Sequence, residues 1–403
     1  MRRLIPPSRP EIWAIEPSAL QITWGDLPAG TVSIRVGAAT TVIGDHPGGP
    51  GAAEVAGLRP GSEVEVELTA GPVRDRLRAT TPVGPDGPEL CRIATLSDLH
   101  LGSEHWGATK RMADRSDHTV PFAVRCARAA LDEAVAWGAD LVVIKGDAAH
   151  HQRADDFALV DDLGQRHPDL PMLIVPGNHD VDGTTVDPVP SVFPSGGRAY
   201  CRSAVATGLP GITVIAADTT VPGSGRGSVN RVADAVVDLV ADAPGPYLLG
   251  LHHHLQERRV PTHYPPGVAA PASRRFLDRL ADVNPRGLVT SGHTHRNRSR
   301  THGPLLVTEV GSTRDWPGVW AGYAVHEDGI RQVIRRVTEP SALAWHEYSR
   351  RALLGVWGWW AAGPLDQRCI DHPWGGRGDA AGSRRRAGIR PRPSRRSPRR
   401  WSP

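Results

Sequence analysis

Along the first 85 or so residues, apolar and polar side chains alternate one for one. Segments 20–24, 31–36 and 62–68 each place every second residue on an apolar face, and clusters of Gly and Pro bound them. A period of two between turn signals is that of a half-buried antiparallel strand. No 3.6-residue period intervenes, so the pattern predicts a small all-β unit. The run Thr81-Pro82-Val83-Gly84-Pro85-Asp86-Gly87-Pro88 reads as a linker.

Beyond the linker the rhythm changes to strand, polar turn and helix. Residues 92–96 form a short apolar strand. A helix is predicted over 121–137, with Thr119 as its cap, Pro121 in its first turn, and Val124, Ala127, Leu131 and Val135 along one face. Further strands are predicted at 141–144, 172–175, 212–215, 247–251 and 287–290, with helices over 229–241 and 273–283. The chain then turns to β, near 305–310, 320–325 and 331–337. Residues 353–374 are rich in Trp. No internal repeat is visible. In sheets flanked by helices, ligand-binding groups gather at the carboxyl ends of strands.

Five of these strand ends carry oxygen and imidazole donors. In order they are Asp98-Leu99-His100, Gly146-Asp147, Gly177-Asn178-His179-Asp180, His252-His253-His254 and Gly292-His293-Thr294-His295. The pairs two residues apart point the same way from an extended segment and can share one ion. Taken singly, each is as readily a turn acid, a helix cap or a surface histidine, and at least one of the three consecutive histidines is expected to be solvated. Five such segments in one order, each at a strand's end, are not matched by coincidence. Carboxylate, imidazole and amide oxygen without thiolate suit Mn, Fe, Zn or similar divalent ions. About seven donors are too many for one ion and suffice for two if one carboxylate bridges. Paired ions about 3.5–4 Å apart can clamp a phosphoryl group.

The series D-x-H, G-D, G-N-H-[DE], strand-His and G-H-x-H resembles the calcineurin-like metallophosphoesterase superfamily across residues 93–337. The resemblance implies an α/β fold: a two-sheet αββα sandwich, here preceded by a small all-β sandwich domain. It implies that Asp98, His100, Asp147 and His295 hold one divalent ion and that Asp147, Asn178, His252 and His293 hold a second, with Asp147 shared. Among the three histidines His252 takes this place by analogy, as the first off its strand, with His253 the alternative and His254 behind them or in solvent. His179 would face the leaving-group oxygen instead of a metal. The implied reaction is hydrolysis of phosphate esters by in-line attack of a hydroxide bridging the ions.

Two details refine the resemblance. The stretch 57–64, with Trp24 upstream, resembles the late-strand turn of fibronectin type III domains, and purple acid phosphatases also place such a domain first. Those enzymes carry a metal-binding Tyr three residues after the second-block Asp; here that residue is His150, which does not support a ferric tyrosinate centre. The motif ends in Asp180, as in the broader phosphodiesterase branch, and residues 311–318 resemble a loop of bacterial cyclic-nucleotide phosphodiesterases. Phosphodiesters are therefore the favoured substrates.

Composition adds limits. Residues 377–403 hold ten Arg against one acid, so this tail carries +9 of a chain whose net charge is +4, leaving the body near −5. Basic character thus belongs to a tail expected to be disordered, not to a groove. Four unpaired-looking Cys argue against a disulfide framework. The first residues lack a signal-peptide apolar region, and no apolar run approaches a bilayer span of roughly 20 residues. These features predict a cytoplasmic protein with no membrane partner, arranged as 1–86 (all-β), 90–340 (catalytic), 341–374 (Trp-rich extension) and 375–403 (Arg-rich tail). The partner is expected to be a small-molecule phosphate ester. A nuclease acting on nucleic-acid ends and a phosphomonoesterase are alternatives within the same chemistry; a β-domain scaffold with a non-catalytic metal site is one outside it.

Overall fold

The alternation of the N-terminal segment closes into two antiparallel sheets. One is ordered Glu11–Ile15, Ala19–Leu27, Gly49–Ala56; the other Ala39–His46, Gly30–Val36, Glu63–Ala70, Val73–Thr80. Trp24, Ile22, Val32, Ile34, Val66 and Leu68 are buried between them. Residues of opposite parity face out, where Glu67 pairs with Arg76 at 3.0 Å and Glu65 with Arg78 at 2.7 Å. Three strands on four is the architecture of the immunoglobulin and fibronectin type III class. The structure, a computed structural model, describes residues 7–37, 39–107, 112–114, 116, 118–183 and 187–375. The Arg-rich tail from 376 onward lies outside the described residues.

Two six-stranded mixed sheets follow, packed face to face. The first runs Met172–Val175, Leu141–Lys145, Glu89–Leu96, Val319–His326, Gly329–Arg336, Cys369–Pro373. The second runs Ala204–Leu209, Ile212–Ala217, Tyr247–Leu251, Gly287–Ser291, Leu305–Glu309, Arg298–His302. Ile93, Val143, Val214, Leu248 and Leu288 fill the layer between the sheets. Helices Phe122–Ala136, Ala154–Gln165 and Pro340–Ser349 cover the first sheet; Ala233–Ala241 and Ala270–Val283 cover the second. The result is the αββα sandwich that the strand pattern and the family resemblance imply.

Some predicted boundaries shift. Thr119 does not cap the first helix, because Pro121 occupies that position without a side-chain cap. The helix expected from 229 begins at Ala233, after a turn closed by Val232 N–H on the Val229 carbonyl at 3.0 Å. The one expected from 273 begins at Ala270, with Pro271 in its first turn, where a missing N–H costs nothing. The Trp-rich segment packs on the sandwich. Trp357 Nε1 donates to the Trp316 carbonyl at 3.1 Å, Trp374 Nε1 to that of His326 at 3.2 Å, and Cys369–Pro373 adds an antiparallel edge strand.

The N-terminal unit is fastened to the sandwich. The Gln21 amide exchanges two hydrogen bonds with the Arg336 backbone, both 2.9 Å, and Ser8 Oγ donates to Glu347 at 2.7 Å. Trp13 is fully buried with its ring edge-on to Trp316, 5.8 Å between centroids. All four Cys are free thiols. Among the described residues no helix is long and apolar enough to cross a membrane.

Candidate metal centre

Within each sheet the motif-bearing strands run parallel, so their polar carboxyl ends share one edge of the sandwich. There the chain turns sharply. Asp98, His100, Asp147, His293 and His295 all have φ between +45° and +70°, five of the eight non-glycine residues with positive φ among those described. Each such residue carries strain of order 1–3 kcal/mol, which persists only where surrounding contacts hold it. Some of those contacts are visible. Asp98 N–H donates to the Gly146 carbonyl at 3.1 Å, and His100 N–H to that of Asp147 at 2.7 Å. Gly177 is required by close approach: a Cβ there would stand 2.9 Å from Asp147 Cγ and nearer still to Oδ1.

The side chains converge. His252 Nε2 is 3.2 Å from Asn178 Oδ1, 3.4 Å from Asp147 Oδ1 and 3.3 Å from His293 Nδ1. His100 Nε2 is 3.5 Å from Asp147 Oδ2, and His295 Nε2 is 3.3 Å from Asp98 Oδ1. Donor atoms of Asp98, His100 and His295 lie within 4.8 Å of one another, as do those of Asp98, Asp147 and His252, and of His252, His253 and His293. The structure thus brings together all seven ligand candidates, and His179 sits beside them with its ring 4.6 Å from that of His100.

Each imidazole is oriented by its other nitrogen. His252 Nδ1–H donates to the Lys145 carbonyl at 2.8 Å, which leaves Nε2 as the lone-pair atom in the cluster. His293 Nε2–H donates to the Pro265 carbonyl at 2.9 Å, leaving Nδ1. His295 Nδ1–H donates to Asp315 at 2.8 Å, leaving Nε2. His179 Nδ1–H donates to the His150 carbonyl at 2.8 Å. His100 Nε2 is buried with no hydrogen-bond partner. A buried imidazole nitrogen left unpaired opposite a carboxylate fits a metal ligand better than a hydrogen-bonding group.

The electrostatics agree. Burial opposes it, but His295 beside it keeps the Asp98 carboxyl below the usual range. Burial likewise opposes, and Asp315 and Asp98 together outweigh it, in pushing the His295 imidazole up to about 10. His295 thus holds positive charge against these carboxylates, a compensation that a divalent cation also provides, while burial pushes the His100 and His293 imidazoles well down and keeps them neutral. The donor set fits such ions.

The histidine run departs from expectation in one respect. None of its members is solvated: His252 and His253 are fully buried and His254 is 2 % exposed, because the segment runs inward from a central strand. His253 Nδ1 meets Thr219 Oγ1 at 2.9 Å, while His254 stacks on His293 with centroids 5.7 Å apart.

Two supporting residues escaped the sequence reading. Asp180 was visible as the last letter of its motif, but not its work. Its carboxylate accepts from the Gly177, Ala148 and Ala149 N–H groups at 2.8, 3.2 and 2.7 Å and from Tyr200 OH at 2.9 Å. It thereby ties the Asp147 turn to the Asn178 turn. Asp315 lies in the 311–318 loop, which was noticed only for its resemblance; an acid directly before a Trp in that loop was the available signal.

The calcineurin-like phosphoesterase family model matches residues 91–297, half of the chain. The chain belongs to this family. No curated protein sequence matches it. Among solved structures it is similar to PhoD, at 11% identity over 83% of this chain and 88% of that one, TM-score 0.43. It is similar to the purple acid phosphatase PPD1 from yellow lupin (Lupinus luteus) seeds, at 12% identity over 82% and 72%, TM-score 0.42. It is also similar to a dimetal phosphatase from Danio rerio, at 12% identity over 62% and 98%, TM-score 0.45.

Proposed function

We propose that the protein is a dinuclear-metal-dependent phosphodiesterase. Asp98, His100, Asp147 and His295 would hold one divalent ion, and Asp147, Asn178, His252 and His293 the other. One observation carries this reading: the two oxygens of the single Asp147 carboxylate face different imidazoles, Oδ1 toward His252 at 3.4 Å and Oδ2 toward His100 at 3.5 Å. A carboxylate serving only one ion has no need of that arrangement. When bound, two divalent ions supply a water acidified toward neutral pH and positive charge against the phosphoryl oxygens. The donor classes suit Mn, Fe or Zn.

The remaining work falls to the chain. The fixed tautomers hold the imidazole lone pairs in place before substrate arrives, so little reorganisation accompanies reaction. The His179 ring is anchored through Nδ1–H on the His150 carbonyl, which leaves Nε2 to pass a proton, or positive charge, to the departing alkoxide. Preference for diesters rests on the motif ending in Asp180 and on the resemblance of the 311–318 loop.

The test is turnover of bis(p-nitrophenyl) phosphate. Asp147→Asn or chelation should abolish it, and unchanged rates in either case would refute the proposal. His179→Ala should lower kcat by roughly 10²–10⁴ while most metal stays bound. Loss of metal in that variant would show that its role has been misassigned.

A further inference from the structure

Among the four ligand histidines, His100 alone has a further imidazole as the partner of its other nitrogen. Its Nε2 lies 3.5 Å from Asp147 Oδ2, while its Nδ1 faces Nδ1 of His150 at 3.3 Å. We propose that His150 is a positioning residue of the first ion site: its Nδ1 accepts from His100 Nδ1–H and so keeps the His100 Nε2 lone pair turned to the ion. The proposal rests on the two-ion reading above and gives a role to a side chain which that reading does not use.

The backbone places His150 before its side chain makes any contact. The first two motif turns are laced together. His100 N–H donates to the Asp147 carbonyl at 2.7 Å, Leu101 N–H to that of Ala148 at 2.8 Å, and His150 N–H to that of Leu101 at 2.8 Å. Leu101 and Ala149 pair across the two turns as a parallel bridge. A side chain three residues past Asp147 is therefore held beside the one two residues past Asp98. The two rings meet at 65°, with centroids 5.5 Å apart.

The proton between them can be assigned. A neutral imidazole carries one N–H, and two N–H groups facing each other at this distance would repel, so the pair of nitrogens shares a single proton. A nitrogen that binds metal must be bare, so neutral His100 carries its proton on Nδ1 and His150 offers Nδ1 as a lone pair. The same geometry separates His150 Nδ1 from that ion. Metal–imidazole bonds are about 2.1 Å long, whereas an ion on His100 Nε2 lies across the His100 ring from His150 Nδ1. His150 thus acts on the ion through its ligand. It also borders His179, whose Nδ1–H its carbonyl accepts at 2.8 Å and whose ring it stacks on, 5.3 Å between centroids and 13° between planes.

Two substitutions separate these contacts. The amide oxygen of His150→Asn can accept roughly where Nδ1 did, while His150→Phe keeps a ring against His179 and offers His100 nothing. Mn affinity, read by competition with a chelating dye, should stay within about threefold of native in His150→Asn and fall roughly 10–100-fold in His150→Phe. Native affinity in His150→Phe, or an equal loss in both variants, overturns the proposal. Imidazole ¹⁵N spectra of the native chain judge it without any substitution. Metal-free and Zn-loaded protein alike should show His100 as the Nδ1–H tautomer and His150 as the Nε2–H tautomer; the reverse assignment overturns it. Should metal bind and no diester be hydrolysed, the phosphodiesterase reading fails while the order of affinities still judges His150. Should no metal bind, the two-ion reading fails, and the tautomers of the metal-free chain decide.

Discussion

A single methyl group at position 177 should disable the centre without unfolding the protein. The backbone of Gly177 is not in the left-handed region, so alanine is conformationally permitted there and only its Cβ matters. That Cβ would stand 2.9 Å from Asp147 Cγ and nearer still to Oδ1, whereas ordinary contact begins at 3.4 Å. The Cβ also overlaps the Asp147 backbone nitrogen, so the main chain of that turn must shift along with the carboxylate, by roughly 1 Å, a misplacement that costs on the order of 10²-fold in rate. Asp147 has little freedom to return by another route, since it is 3% exposed and its Oδ1 is held by the His179 N–H at 2.8 Å. In the proposed two-ion centre both halves suffer together, because both meet on this side chain. The assay is kcat on bis(p-nitrophenyl) phosphate at saturating Mn, with metal content and thermal unfolding measured on the same samples. Gly208→Ala is the control: it lies in the Ala204–Leu209 strand, and a Cβ there meets no heavy atom within 4 Å. Gly177→Ala with native kcat and metal content would refute the reasoning, as would an equal loss in Gly208→Ala.

Further outcomes follow from the same geometry. Asp315→Asn replaces the carboxylate that accepts from His295 Nδ1–H, and should weaken metal affinity roughly 10–100-fold, read by competition with a chelating dye. His346 is buried on the Thr313 carbonyl, and burial first, then Arg336, pushes its imidazole down to about 3. The folded protein therefore leaves it neutral while the unfolded chain protonates it below about 6.5. Its contribution to stability is complete above pH 6.5 and is lost as pH falls toward 3, by up to about 1.4 kcal/mol per pH unit. Urea unfolding of His346→Gln should show an acid limb shallower by about one proton; an unchanged slope refutes the assignment.

The strands that carry the site were legible because they are buried on both faces. Leu141–Lys145, Tyr247–Leu251 and Gly287–Ser291 are each buried at every position, and such runs announce themselves as short apolar blocks. Two strands at sheet edges were not. Arg298–His302 has no fully buried residue, and Val73–Thr80 alternates half-buried with exposed positions through three Arg and an Asp. The Ala154–Gln165 helix hid for a different reason: its inward stripe is only Phe157, Val160 and Leu163, set among four acids. Donor motifs in the site were visible because two-residue spacing on one chain is local. What orients them is not local. Asp315 reaches His295 across 20 residues, and the Lys145 carbonyl reaches His252 across 107. No spacing rule finds such partners, and the choice among three adjacent histidines depends on them.

The 311–318 loop shows how far that support extends. On its inner side Ser312 Oγ donates to the Asp98 carbonyl at 3.0 Å and Thr313 N–H to that of Ser97 at 3.0 Å, so it braces the first ligand strand while Asp315 aims His295. On its outer side Trp345 Nε1 donates to the Arg314 carbonyl at 2.8 Å, and Trp316 N–H to Ser349 Oγ at 2.9 Å, both from the Pro340–Ser349 helix. Trp316 in turn lies between the Arg336 guanidinium, 4.3 Å from its ring, and the buried edge of Trp13 from the N-terminal sheets. A strained ligand backbone keeps its geometry only if its surroundings over-determine it. For Asp98 and His295 those surroundings include the Pro340–Ser349 helix and the all-β unit, both outside the matched segment 91–297. The accessory parts of the chain thus belong to the architecture of the centre, because they fix the loop on which one of its histidines depends.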